Sequence, residues 1–267
     1  MRIMSIASGS SGNCIYVGND NTHLLIDAGI SRKRIEDGLN SIGLTLSDMT
    51  GVLVTHEHSD HISGLGVVLR KDSIPVYGTN ETMESLVGSK YLERVDFSLL
   101  NGVFPDSDYE IGGLTVHPFS ISHDAVNPCG YRITDSHSGK SVAIATDMGC
   151  YNDYIVDKLK NLDAILLEAN HDVKMLQVGT YPYYLKQRIL SNHGHLCNEV
   201  AGRLLDTILS DKLKKVYLGH LSKENNYPDL AFESVRAEIN LSDSPFKADD
   251  FDIEVAKRDR VTDYFDV

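Results

Sequence analysis

The chain has 267 residues, 42% of them hydrophobic and 24% charged, so it is long enough for a large hydrophobic core and has the composition of a globular protein. This composition excludes a disordered or fibrous chain. Its 38 acidic residues outnumber 25 basic ones, and the formal charge of −13 on its face argues against a nucleic-acid binder, because phosphate contacts use Lys and Arg.

Targeting signals and cysteine pairs are missing from the sequence pattern. Residues 1–8 enter a strand-like pattern without the apolar region of a signal peptide, and no run approaches the ~18 apolar residues of a membrane span. None of the four cysteines forms a Cys-x-x-Cys pair, and their positions are Cys14, Cys129, Cys150 and Cys197. We therefore expect a cytoplasmic protein without a membrane association or disulfides, whose cysteines are small core residues.

Strand patterns dominate the start of the chain and alternate with helical patterns later. The predicted strands are Ile3–Ala7, Cys14–Val17, Leu24–Ile26, Val52–Val54, Pro75–Tyr77, Leu114–His117, Gly130–Ile133, Val142–Ala145, Ala164–Leu167 and Val216–Leu218. The predicted helices are Arg32–Leu39, Ile62–Arg70, Glu81–Val87, Asn152–Leu159, Pro182–Leu190, Asn198–Leu209 and Ala231–Ile239. Without a linker or repeat, this order favours one layered α/β (α+β) domain over residues 1–267, with packed sheets covered by helices.

Histidine is concentrated in groups that follow predicted strands. The strand ending at Val54 leads directly into His56-Glu57-His58-Ser59-Asp60-His61. His56 and His58 can project to the same side because an extended chain has a period of two, and Asp60 and His61 would follow in the first turn of a helix. Imidazole nitrogens and carboxylate oxygens suit Zn, Mn or Fe, so this segment predicts a metal site.

This His-x-His-x-Asp-His motif resembles the metallo-β-lactamase-fold superfamily, and the resemblance extends over nearly the whole chain. The resemblance implies an αββα sandwich of two mixed sheets between outer helices, with two metal ions at the sheet edges. It implies that His56, His58 and His123 hold one ion, that Asp60, His61 and His220 hold the other, and that Asp147 bridges them. Asp27 matches an early Asp that supports the ligands by hydrogen bonding.

Hydrolysis by a hydroxide that bridges two metal ions is the chemistry that this resemblance implies. The fold alone does not name the substrate. The interval of 73 positions from Asp147 to His220 is too short for a β-CASP domain, and the 24 positions from His123 to Asp147 leave no room for the arm of tRNA 3′-processing endonucleases. An Asp at 147 and a His at 58 also differ from the patterns of the β-lactamases and of the redox di-iron members.

Further motifs resemble the YycJ (WalJ) family of small bacterial proteins associated with 5′→3′ exonuclease activity on DNA. They are Ser8 to Cys14, Glu168 to Asp172, Gly194 to Asn198 and Gly219 to Ser222, and Cys197 occupies the position of the usual Ser. The resemblance implies a DNA substrate and a partner from DNA repair or replication.

Several secondary residues are predicted to assist the ligands. His195 precedes a predicted helix whose N-terminus favours phosphate, so we expect His195 to be catalytic by clamping the phosphate or protonating the leaving oxygen. Asp60 is expected to be catalytic in addition to its role as a ligand. Glu168 and His171 are expected to support the ligands. Phosphate contacts are predicted for Ser10, Ser11, Asn13, Ser222 and Asn225. His117 is expected to be structural, and His23, His137 and His193 have no predicted catalytic role.

Two alternatives stay open. One is a small-molecule hydrolase, such as a cyclic phosphodiesterase or a glyoxalase-II-like thioesterase. The other is a mono-iron dioxygenase or a non-catalytic metal module. The net charge does not exclude a nucleic-acid substrate, because two divalent ions would add +4 locally and phosphate binding requires only a positive cleft. A net charge of −13 then predicts modest, salt-sensitive DNA affinity.

Overall fold

The computed structural model describes residues 1–267. Its strands are Arg2–Ala7 (β1), Cys14–Gly18 (β2), His23–Ile26 (β3), Gly51–Leu53 (β4), Val76–Thr79 (β5), Leu100–Val103 (β6), Tyr109–Ile111 (β7), Leu114–Ser120 (β8), Cys129–Asp135 (β9), Ser141–Ala145 (β10), Ala164–Glu168 (β11), Lys215–Gly219 (β12), Asp252–Val255 (β13) and Phe265–Asp266 (β14). Its helices are Arg32–Asn40 (α1), Ser59–Ile62 (α2), Leu65–Asp72 (α3), Asn80–Val87 (α4), Asp153–Leu159 (α5), Val173–Val178 (α6), Tyr183–Leu190 (α7), Asn198–Ile208 (α8) and Pro228–Leu241 (α9). None of these helices combines the length and the hydropathy needed to cross a bilayer.

The strands form two mixed seven-stranded sheets. The first sheet has the order β14-β1-β2-β3-β4-β5-β6, and the second has the order β13-β12-β11-β10-β9-β8-β7. In the first sheet β3 to β6 run parallel, and in the second β10 to β13 run parallel, while the remaining neighbours pair antiparallel. Each sheet therefore has one parallel half, whose strands all end at the same edge.

Alternate residues of each central strand face two different cores. In β10, Val142 and Ile144 pack between the sheets, while Ala143 and Ala145 pack under the outer helices. This follows from the period of two in a strand, and burial on both faces explains why the strands read as continuous apolar runs. Helices α1, α3 and α4 cover the first sheet, and α5, α8 and α9 cover the second. The predicted αββα arrangement is confirmed.

The helix predicted over Ile62–Arg70 is wrong in one respect, because it is broken between α2 and α3. The Gly64 N–H donates to the Ala28 carbonyl at 2.8 Å, and a Cβ on Gly64 would overlap the Ile30 carbonyl oxygen. The Gly64 N–H therefore bonds to the loop after β3 instead of to a carbonyl of the preceding helical turn. Cys14 and Cys129 are core residues as predicted, but Cys150 and Cys197 are only partly buried, and all four thiols are free.

Candidate metal centre

Polar residues that follow the ends of five strands meet at one edge of the sandwich. Asp27 follows β3, the segment from His56 follows β4, and the others follow β8, β10 and β12, at His123, Asp147 and His220. Asp27, Asp147 and His220 have positive φ values of 62°, 61° and 54°. Residues other than glycine rarely adopt this left-handed conformation, which costs about 1–3 kcal/mol and is concentrated at functional sites.

A first group of ligand atoms lies on three histidines. Ring nitrogens of His56, His58 and His123 lie within 4.8 Å of one another, and His123 Nε2 is 3.3 Å from His58 Nδ1. The side chain of His123 is fixed from behind by the Gly194 carbonyl, 3.0 Å from Nδ1. Three imidazole nitrogens in this arrangement suit one divalent transition-metal ion.

A second group combines a carboxylate with two histidines. Asp60 Oδ2 lies 3.4 Å from His61 Nε2 and 3.3 Å from His220 Nε2. Two ligands that bind a metal tetrahedrally at about 2.0–2.1 Å lie about 3.3–3.4 Å from each other. These separations therefore fit a set of ligands for a metal ion.

Asp147 lies between the two groups. Its Oδ2 is 3.3 Å from His61 Nε2, and its Oδ1 is 3.4 Å from His220 Nε2 and 3.8 Å from His123 Nε2. Asp147 Oδ2 and His56 Nε2 are buried without any hydrogen-bond partner. Buried polar atoms are normally paired, so these two atoms lack a partner that a cation would provide.

The ligands from the first sheet are oriented by Asp27 and Thr55. Asp27 Oδ2 accepts from His61 Nδ1 at 2.7 Å, which directs Nε2 towards Asp60 and Asp147. Thr55 donates to Asp27, and its Oγ1 is 3.0 Å from His56 Nδ1. The sequence pattern did not predict this role of Thr55, although the residue directly precedes the histidine motif.

On the second sheet, Glu168 orients the rings of His195 and His220. Its Oε1 accepts from His195 Nδ1 at 2.8 Å and from His220 Nδ1 at 3.1 Å, and its Oε2 accepts the backbone N–H groups of Met148 and Leu196 at 2.9 and 3.1 Å. Glu168 is fully buried. One carboxylate therefore fixes two imidazole rings and two loops.

Carboxylates of the site raise the pKa values of two neighbouring histidines, which indicates an excess of buried negative charge. Burial alone would lower the pKa of His220, but Asp147, Asp60 and Glu168 raise it to about 10. Burial also opposes a charged His61, yet Asp27, Asp147 and Asp60 raise its pKa well above the usual range. Burial dominates for His56, whose pKa is lowered well below its usual value. The carboxylates thus hold protons on two rings, and a divalent ion would replace those protons.

These observations together fit divalent metal ions. The donor set consists of nitrogen and oxygen atoms at ligand spacing, with buried atoms that lack partners and with a hydrogen bond behind most imidazoles. Chemically, such a site can activate water and bind the oxygens of an anionic substrate.

The remaining histidines differ in their placement. His195 lies beside the ligands, with ring centroids 5.1 Å from His123 and 5.3 Å from His220, and its side chain is 17% exposed. His171 is buried farther back, where burial lowers its pKa to about 4 and its Nε2 has no partner. His193 is exposed, and His117 lies on β8 in a surface cluster with Asp108 and Lys158.

The residues predicted to contact phosphate have different exposures. Ser10 and Ser11 are exposed, and their hydroxyls accept from Arg258. Asn13 is buried, with Nδ2 3.1 Å from His61 Nε2. Ser222 accepts the Asn225 N–H, and both side chains are nearly covered. Only the two serines are open to solvent.

Comparison with known proteins identifies the family. Residues 22–220 match the model of the beta-lactamase superfamily domain. The chain belongs to this superfamily. It is 42% identical over 234 residues to the exodeoxyribonuclease YycJ of Bacillus anthracis, with 86% of each chain covered. It is 41% identical over 238 residues to the exodeoxyribonuclease WalJ of Streptococcus pneumoniae, with 89% of this chain and 88% of the relative covered.

A solved structure supports the superfamily assignment at the level of the fold. Zn²⁺-bound PqqB from Methylobacterium extorquens superimposes with a TM-score of 0.70 over 100% of both chains, at 18% identity. The family resemblance predicted from the motifs is confirmed for the superfamily and for the YycJ and WalJ relatives.

Proposed function

We propose that this superfamily member is a two-metal phosphodiesterase, and specifically a 5′→3′ DNA exonuclease. The observation that carries the proposal is the identity of 41–42% to two exodeoxyribonucleases over most of both chains, in a chain with a complete set of metal-ligating residues. The proposal treats residues 1–267 as one domain without a β-CASP insertion. In its support, one core between the sheets contains residues from both of them.

Seven side chains would hold the two ions, which are Zn, Mn or Fe. His56, His58 and His123 would bind one ion, Asp60, His61 and His220 would bind the second, and Asp147 would bind both. When bound, the ions would lower the pKa of a water molecule towards neutrality and stabilise the charge on phosphate oxygens. Asp27, Glu168 and His171 would support these ligands from behind.

His195 would act on the substrate. Because its Nδ1 donates to Glu168, its Nε2 is the nitrogen available to a phosphate. From there it would hold the scissile phosphate or donate a proton to the leaving oxygen. The carboxylate of Glu168 would hold the ring in the orientation that either role requires.

DNA is the proposed substrate despite the net charge of −13. The metal ions make the cleft locally positive, while the acidic surface limits the non-specific affinity. We therefore propose weak, salt-sensitive DNA binding and a partner from DNA repair or replication that delivers the strand.

The test uses metal-reconstituted protein with single-stranded and duplex DNA labelled at the 5′ or the 3′ end. Metal-dependent release of the 5′ label as the first product is expected, and an Asp147→Ala variant with an unchanged circular dichroism spectrum should release none. Release of the 3′ label first would contradict the polarity. Failure to degrade any DNA, with turnover of a cyclic phosphodiester or a thioester, would replace the nuclease with a small-molecule hydrolase. One iron per chain without hydrolysis would indicate a dioxygenase.

A further inference from the structure

A cavity of about 260 Å³ opens beside the metal centre, between the loop after β12 and the segment after β13. Ser8 at its base accepts the His220 N–H through Oγ at 2.8 Å, so the cavity begins next to a metal ligand. Its volume is below the ~300–1,000 Å³ of pockets for drug-sized ligands, and it therefore suits a small polar group. The residues that matter to its chemistry are Ser8, Lys223, Tyr227, Lys257, Arg258 and Asp259.

Arg258 is a partly buried cation without a bound carboxylate. Its guanidinium donates to the Leu221 carbonyl at 2.7 Å and to the hydroxyls of Ser10 and Ser11 at 3.3 Å, all of them neutral oxygens. Burial lowers its pKa, and Coulomb attraction to Tyr181, Asp259 and Glu224 only partly opposes this. A desolvated charge with neutral partners is costly, and an anion in the cavity would compensate it.

Two further cations and an aromatic ring border the same space. Lys223 and Lys257 are exposed at its mouth, and neither forms an ion pair with the protein. Asp259 is the only carboxylate among the lining residues, so the positive charges outnumber it. Tyr227 is 51% exposed and offers a flat surface for a sugar or a base.

We propose that this cavity binds the 5′-terminal phosphate of the DNA strand, held by Arg258 and Lys223, with the first nucleoside against Tyr227. This inference rests on the proposed exonuclease function and adds to it the means of recognising the strand end. A terminal phosphate monoester carries about −1.5 to −2 charge near pH 7, more than an internal diester, so a site with unpaired cations prefers it. Holding it beside His220 would place the adjacent phosphodiester at the metal centre.

The experiment compares 5′-phosphorylated with 5′-hydroxyl single-stranded DNA of one sequence, using the metal-reconstituted full chain. Wild-type protein is expected to degrade the phosphorylated strand about ten- to hundredfold faster, since hydrogen bonds to charged groups contribute about 1.5–3 kcal/mol. Arg258→Gln, which keeps a donor to the neighbouring loops, and Lys223→Ala, at an exposed position, should each reduce this ratio towards one. Lys71→Ala, an exposed lysine of α3 outside the cavity, is the matched control and should keep the ratio.

Equilibrium binding provides a second measurement that does not depend on turnover. Metal-free protein is titrated against 3′-fluorescein-labelled oligonucleotides with either 5′ end, and fluorescence anisotropy is followed. Tighter binding of the phosphorylated strand that is lost in both variants supports the inference, even if hydrolysis fails.

The outcomes separate the two proposals. Equal hydrolysis and binding of both strands would overturn the cavity assignment while leaving the exonuclease intact. A preference that survives in Arg258→Gln and Lys223→Ala would place the phosphate elsewhere and would also overturn it. Absence of DNA hydrolysis with a phosphate preference in binding would contradict the nuclease and retain the phosphate site.

Discussion

The two sheets contribute to the metal centre in different ways. In the proposed site, the first sheet would supply four ligands from one segment of six residues, from His56 to His61, after β4. The second would supply three ligands from three separate strand ends, at His123, Asp147 and His220. One half of the site is therefore built by local sequence, and the other half exists only when β8, β10 and β12 are correctly aligned.

The buried carboxylates of Asp27 and Glu168 differ in how many segments of the chain they contact. Asp27 contacts the short segment containing Thr55 and His61. Glu168 instead joins His195, His220 and the N–H groups of two loops. Glu168 thus connects more separate segments of the chain than Asp27 does, and substitutions of the two carboxylates can test what each contributes.

Removing the charge of Asp147, which lies between the two groups of candidate ligands, should have the largest effect. Asp147→Asn preserves shape but removes the charge between the two groups of ligands. Activity is expected to fall roughly 10⁴-fold, because metal ions contribute several kcal/mol of transition-state stabilisation at about 1.36 kcal/mol per tenfold. Metal content measured by mass spectrometry should fall below that of the wild type. Retention of the full metal content and activity would mean that Asp147 is not a ligand.

Removing His195 should leave the metal content intact and slow the reaction. His195→Ala is expected to lower kcat about a hundredfold, the lower range of general acid–base and positioning effects. His193→Ala, an exposed residue of the same loop, is the matched control. Steady-state kinetics with metal analysis would check this, and a loss of metal in His195→Ala would show that the ring is a ligand.

The sequence predicted the two halves unequally well for a physical reason. Alternation at a strand end brings His56 and His58 together without any long-range contact, so that group was visible directly. His123, Asp147 and His220 were predicted from the family resemblance, since the alignment of β8, β10 and β12 depends on packing across both cores. The basic cavity was not predicted, because Arg258 reaches Ser10 and Ser11 from the other end of the chain.

Neutralising the two supporting carboxylates compares the halves directly. Hydrogen-bond partners of metal-ligating residues typically change metal affinity by 10- to 100-fold. We expect Asp27→Asn to lower the metal affinity about tenfold. Glu168→Gln should lower it about a hundredfold, because Glu168 contacts both His220 and the N–H of Met148, the residue after Asp147. Competition with a fluorescent chelator measures both affinities. Equal losses in the two variants would remove the distinction between the halves.

The smallest expected effect concerns the helix that follows His195. Cys197 is the N-cap residue of α8, and its thiol makes no capping hydrogen bond. A hydroxyl there can accept a backbone N–H of the first turn, so Cys197→Ser should stabilise the protein by about 0.5–2 kcal/mol. The melting temperature should rise by a few degrees, at about 2–4 °C per kcal/mol for a domain of this size. Cys150→Ser, also partly buried but outside a helix cap, should not give this increase. A lower melting temperature for Cys197→Ser would show that packing of the partly buried sulfur outweighs the cap.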